Sequence, residues 1–161
     1  MSLQKGYTLL FAVLLSSMVL SISVSVLNIA RKEVLLSSSA RESSTAIYIA
    51  DGALDCAVLQ DNNQQFNDPT SQPPISCEGV TRPVTITPQS TYTRYTFYVS
   101  DGAGISSPCA AVTVDRYPAA GSNPAKTVIE ARGYNVGFQS GTCGGAHPRK
   151  VERAFRYSYT M

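Results

Sequence analysis

The 161-residue chain has no tryptophan and one histidine, His147, and its four cysteines, Cys56, Cys77, Cys109 and Cys143, form no C-x-x-C pair. A zinc site needs four soft ligands, closely spaced in pairs, and that spacing is missing. Charge is also scarce, at 15% of residues, against roughly 25% in ordinary soluble domains. Thirteen basic residues against eleven acidic ones leave a formal charge of +2. The basic residues are scattered rather than striped, which argues against nucleic acid as a direct partner. No Gly-Lys-Ser/Thr follows any glycine cluster, so no phosphate loop is present.

The shortage of charge is concentrated at one end. After Lys5 and Gly6 no charged side chain occurs from Tyr7 to Ala30. About 24 residues make roughly 36 Å of helix, enough for a bilayer core of about 30 Å. A cleaved secretory signal has a shorter apolar run and an A-x-A-like site. Here Asn28-Ile29-Ala30-Arg31-Lys32 follows instead, so the segment is expected to be retained. Charge on its two flanks is nearly balanced, and the positive-inside bias does not orient it. Four well-separated cysteines read as two disulfides in an oxidising compartment, which places everything after Ala30 outside the cytoplasm.

Ser21-Ile22-Ser23-Val24-Ser25-Val26 has mediocre helix propensity. In lipid the backbone must still bond to itself, which enforces a helix. Outside lipid that constraint relaxes, and unwinding of 21–26 is one expectation. Close helix packing by small residues is the other. Beyond Arg31 the pattern turns amphipathic. Leu36, Ala40, Ser43, Ile47, Ala50, Leu54 and Ala57 recur at alternating spacings of four and three, which marks one helix face. These side chains are small enough for a sheet to lie across them.

Asp61 to Pro74 is polar and turn-rich and ends the helix. Strand-like alternation then follows over 82–87, 92–100, 110–116, 126–134 and 150–159, with a turn at Asp101-Gly102-Ala103-Gly104. The expected fold class is α+β. A long N-terminal helix, membrane-spanning in its first half, packs on a small antiparallel sheet. The divisions are residues 1–6, 7–30, 31–60 and a β-rich head over 61–161. In this sketch Cys56 ends the helix and Cys77 follows the loop that leaves it. Cys109 begins a strand and Cys143 follows the next. Antiparallel neighbours bring such ends together, which favours Cys56–Cys77 and Cys109–Cys143 among three possible pairings.

Two stretches carry a family likeness. Lys5-Gly6-Tyr7-Thr8-Leu9-Leu10 resembles the class III signal of type IV pilins and pseudopilins. Ala46-Ile47-Tyr48-Ile49-Ala50-Asp51-Gly52-Ala53-Leu54-Asp55-Cys56-Ala57 is similar to the run that ends the stem of many minor pilins. Together they cover about the first sixty residues. The resemblance implies a leader, Met1–Gly6, removed by a prepilin peptidase between Gly6 and Tyr7, and methylation of the new N-terminus at Tyr7. It implies a pilin-like fold and assembly with other pilin subunits through the N-terminal helix. The bilayer and a membrane assembly machinery are the further partners. Localisation would be a single pass through the cytoplasmic membrane with the head outside, then a cell-surface filament. The fifth position after the cleavage point is Phe11, where the family carries Glu, and this shifts the resemblance toward a minor subunit. The filament would serve a pilus, secretion or DNA uptake. The alternative is a membrane-anchored surface binding or adhesion module that never enters a fibre.

No enzyme activity and no cofactor are expected. Cys143 and His147 lie four apart in a Gly-rich loop, but a Cys nucleophile needs a base held against it in three dimensions. Asp51 and Asp55 share a helix face without a companion ligand set. The nine tyrosines read as half-buried packing residues, with an adhesive aromatic surface as the second reading.

Overall fold

This computed structural model describes residues 3–68, 70, 74–100, 102, 107–139, 141–145 and 147–160, with backbone alone at residues 3–6 and 139. The architecture is α+β, with two compact units, Met1–Ala40 and Arg41–Met161. Helix α1 (Leu3–Asn62) supplies the whole described part of the first unit and continues into the second.

In the first unit the helix is unbroken through Ser21–Val26. The serines there fold their polarity inward. Ser23 donates to the Val19 carbonyl at 2.8 Å and Ser25 to that of Ser21 at 3.0 Å. Ser16 and Ser17 do the same toward Val13 and Leu14. Each of these four hydroxyls finds an acceptor on its own helix.

Among the described residues of the second unit nine strands follow α1. A short hairpin pairs β1 (Ile75–Cys77) with β2 (Val80–Arg82). The main sheet is a meander of β3 (Thr85–Pro88), β4 (Thr93–Ser100), β5 (Cys109–Tyr117) and β6 (Lys126–Tyr134), closed by β9 (Glu152–Thr160), every neighbour antiparallel. Between β6 and β9 lies a small ladder of β7 (Phe138–Gln139) and β8 (Thr142–Cys143). Four of the five main strands fall where alternation in the sequence placed them, whereas over the expected 82–87 the chain ends β2 at Arg82 and begins β3 only at Thr85. The two short pairs were not expected, because two or three residues show no period. The turn expected at Asp101–Gly104 falls mostly on residues outside those described, as do Ser140 and Ala146 of the Gly-rich loop and part of the loop after α1.

Alternation sorts the sheet into two faces. Tyr95, Phe97 and Val99 of β4 lie beside Val114, Val112 and Ala110 of β5, and these beside Ile129, Ala131 and Gly133 of β6. Ile49, Ala53 and Ala57 of α1 join them in one buried cluster with Phe66, Ile75 and Val84. The helix ridge differs from the one expected. Ala46, Ile49, Ala50, Ala53 and Ala57 are buried, whereas Ile47 and Leu36 are exposed and Leu54 is half-buried. Gly133 gives the reason. A Cβ there would strike the Ala46 carbonyl oxygen and lie 2.8 Å from the Ala50 Cβ. Helix and strand backbones approach so closely that alanines occupy the contact, and Ile47 and Leu54 are pushed to its flanks.

On the opposite face Cys109, Tyr134 and Val136 form a smaller cluster with Cys143 and Ala111. The segment after β6 folds over it, and Phe138 meets Tyr98 edge-on at 5.4 Å. Asn135 closes this loop. Its amide donates to the Arg149 carbonyl at 2.9 Å, and its side-chain oxygen accepts from the Val151 N–H at 2.7 Å.

Candidate functional site

Every described side chain from Tyr7 to Ala40 is exposed. Between Tyr7 and Ile29 this includes fifteen large apolar residues, among them Tyr7 at 72% and Phe11 at 53%. Transferring these fifteen to an apolar phase is favourable by on the order of 20 kcal/mol, at about 1.5 kcal/mol each. That exceeds the whole stability of a typical domain, about 5–15 kcal/mol. The first unit is therefore a surface that must be covered. The helix beginning at Tyr7 is long and apolar enough to cross a membrane. Because the Ser16, Ser17, Ser23 and Ser25 hydroxyls donate to carbonyls of their own helix, covering them with lipid or another apolar helix leaves those donors satisfied.

The two residues expected at the processing point, Gly6 and Tyr7, lie in the first turns of α1. Phe11 follows one turn later and offers no charge to an amine. Apolar contact is all that this position supplies.

Cys56 is joined to Cys77 and Cys109 to Cys143, each pair with Cα atoms 5.8 Å apart. The first bond fixes the last turns of α1 to the β1–β2 hairpin. The second fixes the segment after β6 to the start of β5. Cys143 is thus not a thiol, and the imidazole four residues on is engaged elsewhere: His147 Nδ1 accepts from the Arg149 N–H at 3.2 Å. Asp51 and Asp55 are exposed on the helix.

A polar centre that the sequence did not reveal lies at the end of α1. The Asp61 side chain is fully buried, with one oxygen 3.1 Å from Arg116 Nη1. Its other oxygen accepts from the Tyr159 hydroxyl, and Arg116 also donates to the Asn67 side chain. Burial, followed by the hydrogen bond to Asp61, holds the Tyr159 hydroxyl protonated well above its ordinary range. These groups come from α1, the loop after it, β5 and β9. No local pattern links them, so only the fold brings them together. On the opposite face Arg94 grips Asp115 with two hydrogen bonds of 2.7 and 2.8 Å. That hydrogen bond raises the Arg94 pKa.

Compared with models of known protein families, with curated proteins and with solved structures, the chain matches none.

Proposed function

We propose that this chain is a minor pilin or pseudopilin, a structural subunit of a type IV pilus or of a related secretion or DNA-uptake filament. It performs no catalysis. Prepilin peptidase removes Met1–Gly6 at the cytoplasmic face, and Tyr7 becomes a methylated N-terminus. The apolar first part of α1 holds the subunit in the cytoplasmic membrane, with the disulfide-bonded head outside. An assembly machinery then extracts the subunit, and the same helix surface exchanges lipid for the helices of neighbouring subunits.

One observation carries this reading. A continuous helix, Leu3–Asn62, that contains Lys5-Gly6-Tyr7 exposes fifteen large apolar side chains from Tyr7 to Ile29, and the same helix supplies the alanine ridge of the head's core. Such a helix is anchor and core element at once, which suits a subunit that must be pulled from a membrane without coming apart. Phe11 in place of a carboxylate suits a subunit used sparingly rather than repeated along the fibre. A buried carboxylate needs a partner at each repeat, whereas phenylalanine needs only apolar neighbours.

Intact-mass measurement on native protein tests the proposal. The expected mature chain lacks Met1–Gly6 and carries one added methyl group, and the protein is recovered in sheared surface filaments. A native chain still beginning at Met1 and missing from such filaments would instead indicate a membrane-anchored binding module.

A further inference from the structure

Arg153 Nε donates to the Ser43 hydroxyl at 3.0 Å. The start of β9 therefore lies beside the first residues of the second unit, where the chain enters it. Arg41, Arg149, Lys150 and Arg153 are exposed at this end. Arg132 is there too, holding Glu130 and Glu152, and Glu42 is the other described acid nearby. Five cations thus stand against three acids. The Arg41 and Arg149 side chains have no partner among the described residues. At the opposite end of the sheet Arg94 and Arg116 are each matched to a buried carboxylate, Asp115 and Asp61. The surplus is invisible in the sequence, where its members are spread from 41 to 153.

The segment before β9 is held in place. Asn135 donates to the Arg149 carbonyl at 2.9 Å and accepts from the Val151 N–H at 2.7 Å. Lys150 Nζ donates to the Gly144 carbonyl at 3.1 Å and lies 5.6 Å from the centre of the Tyr134 ring. Backbone already fixed here need not be ordered on binding. The apolar surface of α1 also runs almost to this end, since Val34, Leu35 and Leu36 are 69–70% exposed. From Ala30, the end of the uncharged run, to Arg41 the helix is continuous and rises by about 16 Å. A headgroup layer takes up about 5–7 Å of that. The rest is close to one Debye length, about 8 Å at physiological salt.

We infer that this end of the second unit docks on the anionic phospholipid headgroups of the bilayer that holds α1. The inference rests on the membrane-anchored part of the reading above, which a filament subunit and an anchored module share. Guanidinium and ammonium groups suit lipid phosphate. Each one near an anionic surface adds attraction that salt screens. The apolar stretch ending at Leu36 favours a bilayer over a soluble polyanion, because it keeps the headgroups within reach. Withdrawal of α1 from the membrane would break these contacts.

The test places the full chain in vesicles of phosphatidylcholine, alone or with about one-third phosphatidylglycerol. Recovery of the chain with floated vesicles checks the anchor by itself. The native cysteines are all bonded, so Pro148→Cys gives one labelling point beside Arg149. Ser122→Cys gives another, between β5 and β6 at the far end of the sheet. Lipids with a nitroxide on the headgroup report contact by quenching a fluorophore at either point. The label at position 148 should be quenched about twofold more with phosphatidylglycerol than without it, and about 0.5 M salt should remove this excess. The label at position 122 should show no excess. Arg41→Glu combined with Arg149→Glu should abolish the excess and leave the melting temperature unchanged, since neither side chain has a described partner. Equal quenching in both vesicles by an anchored chain would overturn the inference, as would indifference to the double substitution. So would loss of the excess to a double-stranded oligonucleotide at equal phosphate concentration, which would assign the cluster to nucleic acid.

Discussion

Asp61 sits at the end of a helix in a run of polar residues that read from sequence as a turn-rich segment ending the helix. It is instead buried, and its partner Tyr159 is 98 residues away. No window of sequence contains both groups, so the contact was illegible until β9 was placed against β6. Its consequences are measurable. Asp61→Ala leaves Arg116 facing an emptied site and should cost about 3 kcal/mol, since breaking a buried pair strands the surviving charge. Tyr159→Phe removes one hydrogen bond and should cost about 1 kcal/mol. Urea unfolding of both variants would separate these values. Tyr159 also belongs to a set. Burial raises the pKa values of Tyr95, Tyr134 and Tyr159 above the ordinary 10.0. The sign follows from proton counting. Above the ordinary value the unfolded chain has lost these protons while the folded chain keeps them. Stability is therefore intact below pH 10 and falls as pH rises beyond it. Absorbance at 295 nm should show these tyrosines ionising late, together with unfolding. Simultaneous titration of all nine tyrosines near pH 10 would contradict this.

Among the elements, β4, β5 and β6 were legible because one face of each lies on the core, whereas β3 and β9, at the edges of the main sheet, are largely exposed and alternate in composition alone. The two short ladders were not, since β1–β2 and β7–β8 are held by a turn and by disulfides rather than by pattern. The helix was legible in extent but not in rotation. Sequence periodicity favoured a stripe through Ile47, Ala50, Leu54 and Ala57; the structure keeps Ala50 and Ala57, and close approach to Gly133 puts Ala46 rather than Ile47 in the contact. Gly133→Leu should therefore destabilise the head by about 1–3 kcal/mol or more through overpacking, visible as a lower urea midpoint with the disulfides intact. Replacing Cys109 and Cys143 by alanine should cost about 3 kcal/mol, chiefly through the unfolded chain. The pair closes a loop of sequence separation 34. The loss should vanish when parent and variant are compared under reducing conditions.

For the molecule as a whole, the buried residues all lie in Arg41–Met161, and the described side chains of Met1–Ala40 are exposed. A chain beginning at Arg41 should accordingly unfold cooperatively and remain in solution without detergent, while the full chain should require detergent or lipid. Sedimentation of the two chains at equal concentration checks this. Aggregation of the shorter chain would mean that the head depends on the apolar helix for its fold. The membrane-length segment was legible because the uncharged run from Tyr7 to Ala30 is long enough, as a helix, to cross a bilayer core. What covers it was not legible, because lipid and a neighbouring helix present the same kind of apolar surface.

The bond between Cys56 and Cys77 gives the head a mechanical property as well. Tension applied along α1 reaches the head at the alanine ridge, where small side chains offer little grip against sliding. The covalent stitch near the helix's far end stops that slide, because the final turns cannot peel from the hairpin while it holds. Once that stitch is reduced, the same pull meets only the ridge contacts and the Asp61 pair, and the head should yield at lower force.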